Sequence, residues 1–448
     1  MPGQLSDRPR LFDQKKRDKG AVAASFSPLS LSPALWIDPS DAASVTISGS
    51  SGAYIGPTGL VLPSASGNYA TAPSIGAYLI TDDVEIVIRV RATDWTPAGD
   101  RQLVKGSSGY FCTIRAIGLM RFTLGGIIDV DSTVAPPLVN GTTYWLKFTR
   151  KRSTGDVNFY YAADQATEPS SWTQVGTTVT ASTAAMNTGA TGMSVMDTSN
   201  TALAGTVYRA IVRSGIGGTT VFDADFVAAT DYVSSFTESS SNAATVTVTS
   251  STGGALVSQI NDKSGNGNHL VQGTAANMPT YQYNATMGKN VLVFDGSNDK
   301  LQTSGNITLA QPLQYLLAIK PATTGAGNIV SYTSVTGNPS FFNSGSGALT
   351  IYAGTSLSTP GSTIDTAAHQ VTVTVNGASS GVRLDGVSKS SGNAGALDYS
   401  AVPFGLGGNY ATPTYYNGVI MEVVACAAPT TTLRDQCEAY LKAKWGTP

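Results

Sequence analysis

The sequence predicts an all-β protein of β-sandwich or jelly-roll type, and three observations predict it. Only 12% of the 448 residues are Asp, Glu, Lys or Arg, about half the usual quarter; a long helical bundle or coiled coil needs many more charged helix formers. Ser, Thr, Gly and Val dominate, with 48 Gly and 21 Pro, the chemistry of short strands and tight turns. Apolar residues alternate with period two in many short runs, each bounded by Gly, Asn, Asp, Pro or Ser, the pattern of half-buried strands. The 5 Trp, 19 Tyr and 13 Phe supply enough apolar surface to exclude general disorder. The length corresponds to roughly two to four domains.

Residues 1–30 stand apart. Arg8, Arg10, Lys15, Lys16, Arg17 and Lys19 face only Asp7, Asp13 and Asp18, with no apolar periodicity. This is either a solvated, frayed terminus or an arm that orders on a partner, with Leu11 and Phe12 as apolar anchors among the basic residues. Ala21–Ser25 is too short for the apolar region of a secretory leader, so none is predicted.

From Leu35 onward the elements are strands. Val84–Val90, Tyr144–Thr149, Val157–Tyr160, Thr206–Val212 and Ala244–Val248 alternate in the first half. Val291–Phe294, Tyr315–Ile319, Val371–Val375 and Val419–Val424 follow in the second. The last element is a short helix. Thr430–Thr432 offers N-caps, Leu433, Cys437, Tyr440 and Leu441 recur at helical spacing, and Gly446 and Pro448 end it. Trp445 follows the stripe and is expected to plug the helix onto a sandwich. The halves also repeat one another. Leu60–Thr71 resembles Leu292–Thr303, and the strands at Val84, Tyr144 and Gly205 match those at Tyr315, Gln370 and Gly418.

Composition excludes several function classes. The formal charge is −2 and the pI about 5.7, so the chain carries no electrostatic footprint for nucleic acid. No run approaches the ~18 apolar residues of a membrane span. Two His and three Cys are too few for a zinc site or a disulfide framework; a bond between Cys426 and Cys437 cannot be judged from spacing. The loop Ser264–Asn268 is expected to be a tight turn organised by Asp262. A Ca²⁺ site using Asp262, Asn266 and Asn268 is the weaker reading, because a hard cation needs six to eight oxygens. Asp295–Asp299 is weighed the same way, with Asp295 and Asp299 as the candidate ligands and a hairpin turn preferred. No metal or other cofactor is expected.

Aromatic faces stack on the apolar face of a pyranose, so loop tyrosines are the candidate glycan contacts: Tyr110, Tyr332, Tyr410, Tyr415 and Tyr416, all in Gly/Ser/Asn-rich surroundings. Trp36, Trp145 and Trp172 are expected in the core. Glycoside hydrolysis needs two carboxylates at a defined separation. Glu85, Glu168, Glu238, Glu422 and Glu438 are isolated along the chain, and neither His lies beside a nucleophile motif. No catalytic residue is assigned, and the chain is not expected to be an enzyme.

Four strings carry a family resemblance: Leu35-Trp36-Ile37-Asp38-Pro39-Ser40-Asp41, Asn261 to His269, Val293 to Asp299, and Tyr440 to Gly446. They resemble the concanavalin A-like, laminin G-like jelly-roll domains of tailed-phage virion structural proteins. Gly67–Ala70, Arg91–Pro97 and Trp172 resemble a companion lectin-like domain of the same proteins. The resemblance covers nearly everything after residue 30. It implies two concanavalin A-like jelly-roll β-sandwiches with an N-terminal extended arm and a short C-terminal helix. In such domains the Trp-Ile-Asp-Pro-Ser-Asp opening runs soon into Asp-Lys-Ser-Gly-Asn-Gly, whereas more than 200 residues separate them here. The first sandwich (49–250) is therefore expected to interrupt the second (31–48 and 251–448), two sequential domains being the alternative. The implied role is non-enzymatic: capsid decoration, head fibre or tail appendage on the outer surface of a phage particle. Residues 1–30 would anchor it to a major capsid or tail protein, as a homo-oligomer. A carbohydrate-binding adhesin that holds host-surface glycans is the alternative, and a polysaccharide depolymerase is less favoured.

Overall fold

The computed structural model describes residues 26–448 apart from 107–108, 126, 187–191, 197–201, 251–253, 326, 333–338, 345–346, 362 and 409–413. The arm residues Arg8, Arg10, Leu11, Phe12, Lys15, Lys16 and Arg17 lie outside the described residues, as does Tyr410.

Period-two alternation becomes two-faced strands. In Val84–Ala92, Ile86, Ile88 and Val90 turn into a core, while Glu85, Val87 and Arg89 turn to the opposite face. This strand is central in a sheet ordered Thr173–Gln174, Asp156–Ala163, Thr143–Lys151, Val84–Ala92, Gly205–Ser214, Gly59–Leu62, Tyr54–Gly56. The facing sheet runs Ile128–Asp131, Met120–Leu124, Tyr110–Ile114, Arg101–Gly106, Met193–Val195, Tyr69–Ala72, Thr245–Thr249, Ser235–Thr237. Between them lies one core, with Phe148 and Phe159 meeting edge-on at 5.9 Å.

The second sandwich repeats this order strand for strand. Ser380–Leu384, His369–Val375, Leu313–Pro321, Asn417–Ala427 and Lys289–Asp295 form one sheet path. Ser356–Ser358, Leu349–Tyr352, Ser340–Asn343, Gly327–Tyr332, Phe404–Leu406 and Leu301–Thr303 form the other. The sequence repeat is thus a repeat of topology. One difference is that Ala255–Ile260 pairs with both Leu270–Val271 and Thr280–Asn284, so the two sheets join there into a closed barrel. Gly205 and Gly418, aligned by the repeat, both have φ +149. A Cβ on Gly205 would lie 1.9 Å from the Arg91 carbonyl oxygen, and one on Gly418 2.5 Å from that of Lys320. Both positions therefore require glycine.

Leu35–Ile37 pairs with Asn417–Ala427, and Leu35 and Ile37 belong to the second core. Val45–Ser50 pairs with Ala255–Ile260. Between these segments the chain builds the first core, from Ala53 to Val246. The sandwiches meet at Tyr232, whose amide donates to the Ile55 carbonyl at 2.6 Å and whose carbonyl accepts from Tyr283 at 3.1 Å.

The helix Thr431–Trp445 begins where Thr430 Oγ1 accepts from the Leu433 amide and ends at left-handed Gly446. Cys437, Leu441 and Trp445 pack on Trp36, Leu316 and Met421, so Trp445 does plug the helix down. Cys426 and Cys437 are both free and buried. Burial pushes the Cys426 thiol up to about 12, so it stays protonated and inert.

Candidate functional site

The most conspicuous polar loop is a clasp. Asp262 Oδ1 accepts from the amides of Trp36 (2.9 Å) and Ser264 (2.9 Å), and Oδ2 from Ser264 Oγ (2.7 Å) and the Asn268 amide (3.0 Å). Asn266 and Asn268 donate their side-chain amides to the carbonyls of Pro33 (2.9 Å) and Ala34 (2.8 Å). All four Asp262 lone-pair directions are used within the protein, and these bonds are what closes the turn. Among the described residues no group of three or more His, Cys, Asp or Glu gathers where a metal could sit.

Beneath the clasp, Glu422 is fully buried. It accepts from Trp36 Nε1 (2.8 Å), Tyr440 Oη (2.9 Å) and Trp445 Nε1 (2.7 Å), and pairs with Lys444 Nζ at 2.8 Å. Lys444 also pairs with Asp38 at 2.7 Å, and Lys263 with Asp38 (3.4 Å) and Asp41 (2.8 Å). Burial raises the Glu422 carboxyl, with Asp38 adding to the effect. Burial would raise Asp38 too, but the Lys444 ammonium overcomes it and holds that carboxyl low. Three of the four strings that carried the resemblance, distant in sequence, therefore converge on one polar network under the helix.

Asp295–Asp299 is likewise a turn. Asp295 Oδ1 accepts from the amides of Ser297 (2.7 Å) and Asn298 (3.3 Å), and Asp299 Oδ2 from the Asp295 amide (2.9 Å). Burial and then the Asp295 charge push Asp299 up to about 7. The folded state thus holds this proton more tightly than the unfolded chain. The associated stability is complete below about pH 4 and is lost as pH rises through 7. Asp299→Asn should leave the melting temperature unchanged near pH 4. At pH 8 it should raise stability by about 1–2 kcal/mol, once solvent screening is allowed for. A Tm–pH profile with equal offsets at both pH values would refute the assignment.

The loop tyrosines divide, and two are corrected. Tyr110 opens the strand Tyr110–Ile114 and is 1% exposed. Its ring fills the space a side chain at Gly106 would need: a Cβ there would lie 2.1 Å from Tyr110 Cζ. Tyr416 is 2% exposed with its ring 6.3 Å from Phe294. Neither can stack on a sugar. Tyr415 is half-buried, with Lys300 Nζ 5.8 Å from its ring. The backbone of Tyr332 ends the strand Gly327–Tyr332, and its side chain is outside the described residues. His369 starts the strand His369–Val375, buried between Asp385 (2.8 Å) and Asp365 (3.0 Å).

Two carboxylates that are isolated in sequence do come together. Arg213 Nη1 donates to Glu85 Oε1 (2.5 Å) and to Glu168 Oε1 (2.9 Å), and Nη2 to Glu168 Oε2 (2.5 Å). Two acids bonded to one nitrogen are near neighbours, as the carboxylates of a glycosidase pair are. The guanidinium, however, sits between them, where an anomeric carbon would have to be. The Glu168 bond, the largest influence, raises the already high Arg213 pKa, so the guanidinium stays charged.

The same sheet face carries Trp145, Val87 and Ile211 in a small buried cluster with half-buried Trp172 against it. Trp145 is core, as expected, with Nε1 donating to the Gln165 carbonyl at 3.0 Å. Trp172 is not: it lines a surface cleft of about 280 Å³ together with Asp164, Gln165, Ser171 and Thr173. Lys147 Nζ lies 4.4 Å from its ring centroid. The Pro-Ser-Ser-Trp run before the short strand Thr173–Gln174 was the available sequence signal for a loop tryptophan.

No family model matches the chain, and no curated protein matches it in sequence. Several solved structures are similar. Domain 4 of AbnA, a GH43 extracellular arabinanase from Geobacillus stearothermophilus in complex with arabinotriose, shares 16% identity over 39% of this chain and 91% of that one, with a TM-score of 0.30. Mouse laminin α1 domains LG4-5 share 10% identity over 85% and 90%, at 0.26. The heptameric SAP-like pentraxin of Limulus polyphemus shares 15% over 32% and 78%, at 0.27. None of these three is a virion protein. The jelly-roll assignment rests on the strand order and pairing above, and the similarities add nothing about ligand or activity.

Proposed function

We propose that the chain is a non-enzymatic structural protein of a tailed-phage virion. Its two jelly rolls face outward, and residues 1–30 anchor it to a major capsid or tail protein. Capsid decoration is preferred over head fibre, and head fibre over tail appendage. The observation that supports the reading is the clasp. Three of the four strings on which the resemblance stands are joined through Asp262, Asp38, Lys444 and Glu422, so these three are carried by residues with a common structural task. The sparse charge and paired strands suit a stable outer shell, and a basic arm that orders on docking suits assembly.

Deleting residues 1–30 should reduce incorporation into particles at least tenfold while both sandwiches keep their thermal transitions. Quantitative gels of purified particles measure this, and undiminished incorporation would overturn the reading. Adhesion to surface glycans is the second reading, favoured by the cleft beside Trp172. Depolymerase activity is disfavoured because Arg213 occupies the space between Glu85 and Glu168.

A further inference from the structure

His369 is 6% exposed, and both nitrogens of its ring face carboxylates. Nδ1 lies 2.8 Å from Asp385 Oδ2, and Nε2 lies 3.0 Å from Asp365 Oδ1. A neutral imidazole has one N–H and one lone pair, so it can donate to only one of the two acids. Its other nitrogen would set a lone pair against a carboxylate. The imidazolium, with two N–H groups, serves both bonds. The two acids are unlike. Asp385 and Gly386, at φ 51 and 76, form the two-residue turn between Ser380–Leu384 and Val387–Gly392, the Asp-Gly hairpin pattern. Asp385 Oδ1 accepts from the Gln370 amide (3.0 Å), and the Asp385 amide donates to the Gln370 carbonyl (2.9 Å). Asp365, by contrast, has a side chain 75% exposed and also accepts from the nearby Ala367 amide (2.6 Å).

Residues 363–368 lead into the strand His369–Val375. Their start is fixed: the Thr363 and Ile364 amides donate to the Gly347 carbonyl (2.8 and 3.0 Å), and Ile364 is buried in the second core. Asp365, Thr366 and Ala367 are exposed, and half-buried Ala368 packs on the apolar layer beneath the helix Thr431–Trp445. The Asp365–His369 bond ties this stretch back to the strand. Charged groups on the neighbouring elements are engaged with one another: Arg383 with Glu438 (2.9 Å) and Arg434 with Asp435 (2.7 Å). Lys320 stands one position past Ile319, the residue paired with His369. The charges that act on the ring are Asp385 and Asp365. Burial disfavours the charged ring, but the bond to Asp385, and then that to Asp365, outweigh it and raise its pKa above the ordinary histidine value. The Ala367 amide, and then His369, hold Asp365 below the usual carboxylate range, so Asp365 stays an acceptor while the ring titrates.

We propose that Asp365, His369 and Asp385 form a proton-operated fastener: the doubly protonated ring clips residues 365–368 to the strand, and loss of its Nε2 proton as pH rises frees Asp365 while Asp385 keeps its bond. The fold favours the imidazolium. The fastening is therefore complete below the unfolded-chain value near 6.5 and is lost as pH rises through the higher folded-state value. The asymmetry of the acids decides which one leaves. Water takes over the exposed Asp365 carboxylate directly, whereas releasing Asp385 would strip the Gln370 amide of its acceptor and disturb the hairpin turn.

The test uses the full chain with ¹⁵N-labelled histidine and a pH titration followed by NMR. The chain has two histidines, and His369→Gln assigns the ring signals of His369 by their loss. The midpoint should lie above the ordinary ~6.5, and on its alkaline side Nδ1 should keep its proton while Nε2 has lost it. Hydrogen exchange of residues 363–368, corrected for intrinsic base catalysis, should accelerate about tenfold or more across that midpoint. Asp365→Asn alters only an exposed side chain, so the fold is retained. It should lower the midpoint and abolish the step in exchange. A midpoint at or below ~6.5, or a proton left on Nε2 instead of Nδ1, would overturn the fastener. So would wild-type exchange with no step, or an Asp365→Asn midpoint equal to that of wild type.

Discussion

Glu422→Ala is expected to destabilise the second sandwich by about 3–5 kcal/mol. The carboxylate is fully buried and serves four donors at once: the indoles of Trp36 and Trp445, the Tyr440 hydroxyl and the Lys444 ammonium. Removing it leaves three neutral donors unpaired, at about 1–3 kcal/mol for each that water cannot reach. It also leaves Lys444 with one carboxylate partner, Asp38, in place of two. At about 2–4 °C per kcal/mol for a domain of this size, the transition of the second sandwich should fall by roughly 10 °C. Differential scanning calorimetry of the full chain reads this directly. The first sandwich, whose core shares no residue with the network, should melt as before. Glu422→Gln should be milder, since one oxygen still accepts while the new NH₂ faces a donor. A shift under about 2 °C for the alanine variant would mean that the helix is held by apolar packing alone.

Gly205→Ala should have an effect of similar size on the other sandwich. At φ +149 the residue occupies backbone space that side chains rarely enter, and its Cβ would stand 1.9 Å from the Arg91 carbonyl oxygen. The obstacle is backbone within the central sheet, so the strand pair Gly205–Ser214 with Val84–Ala92 must part. A loss above about 4 kcal/mol follows, in the range reserved for such conflicts. Gly418→Ala is its counterpart, with the Lys320 carbonyl oxygen 2.5 Å away. Each variant should lower one calorimetric transition by roughly 10 °C or more and spare the other. If either substitution collapses both transitions together, the sandwiches unfold as one cooperative unit.

These predictions also mark what was legible in advance. The strands were, because Ile86, Ile88 and Val90, which enter the first core, alternate with Glu85, Val87 and Arg89, which turn to the opposite face. The helix was, because Thr430 and Gly446 are capping residues at the ends of an apolar stripe. The repeat was, since Gly205 and Gly418 answer the same backbone demand. The candidate glycan contacts were less so. A tyrosine after glycines suggests an exposed loop, but Tyr110 points inward because Gly106 on the paired strand leaves room for its ring. That room exists only once the strands are in register. Trp172 was misplaced in the opposite direction, because proximity to a strand does not say which face a side chain takes.

The longest-range relations were not legible at all. Glu85 and Arg213 lie 128 positions apart, and Arg213 and Glu168 lie 45 apart. Trp36 and Glu422 are separated by 386. By itself the sequence determined the local quantities: strand period, turn chemistry, caps, the doubling of one architecture and the scarcity of charge. These follow from backbone stereochemistry and from which residues water rejects, and both act over a few neighbours. Only the tertiary structure decided that distant acids would share Arg213, that Glu422 would gather two indoles, a phenol and an ammonium, and that the loop at Trp172 would enclose a cleft. Such partnerships depend on sheet register and sandwich closure, which place side chains a hundred or more residues apart within hydrogen-bonding distance.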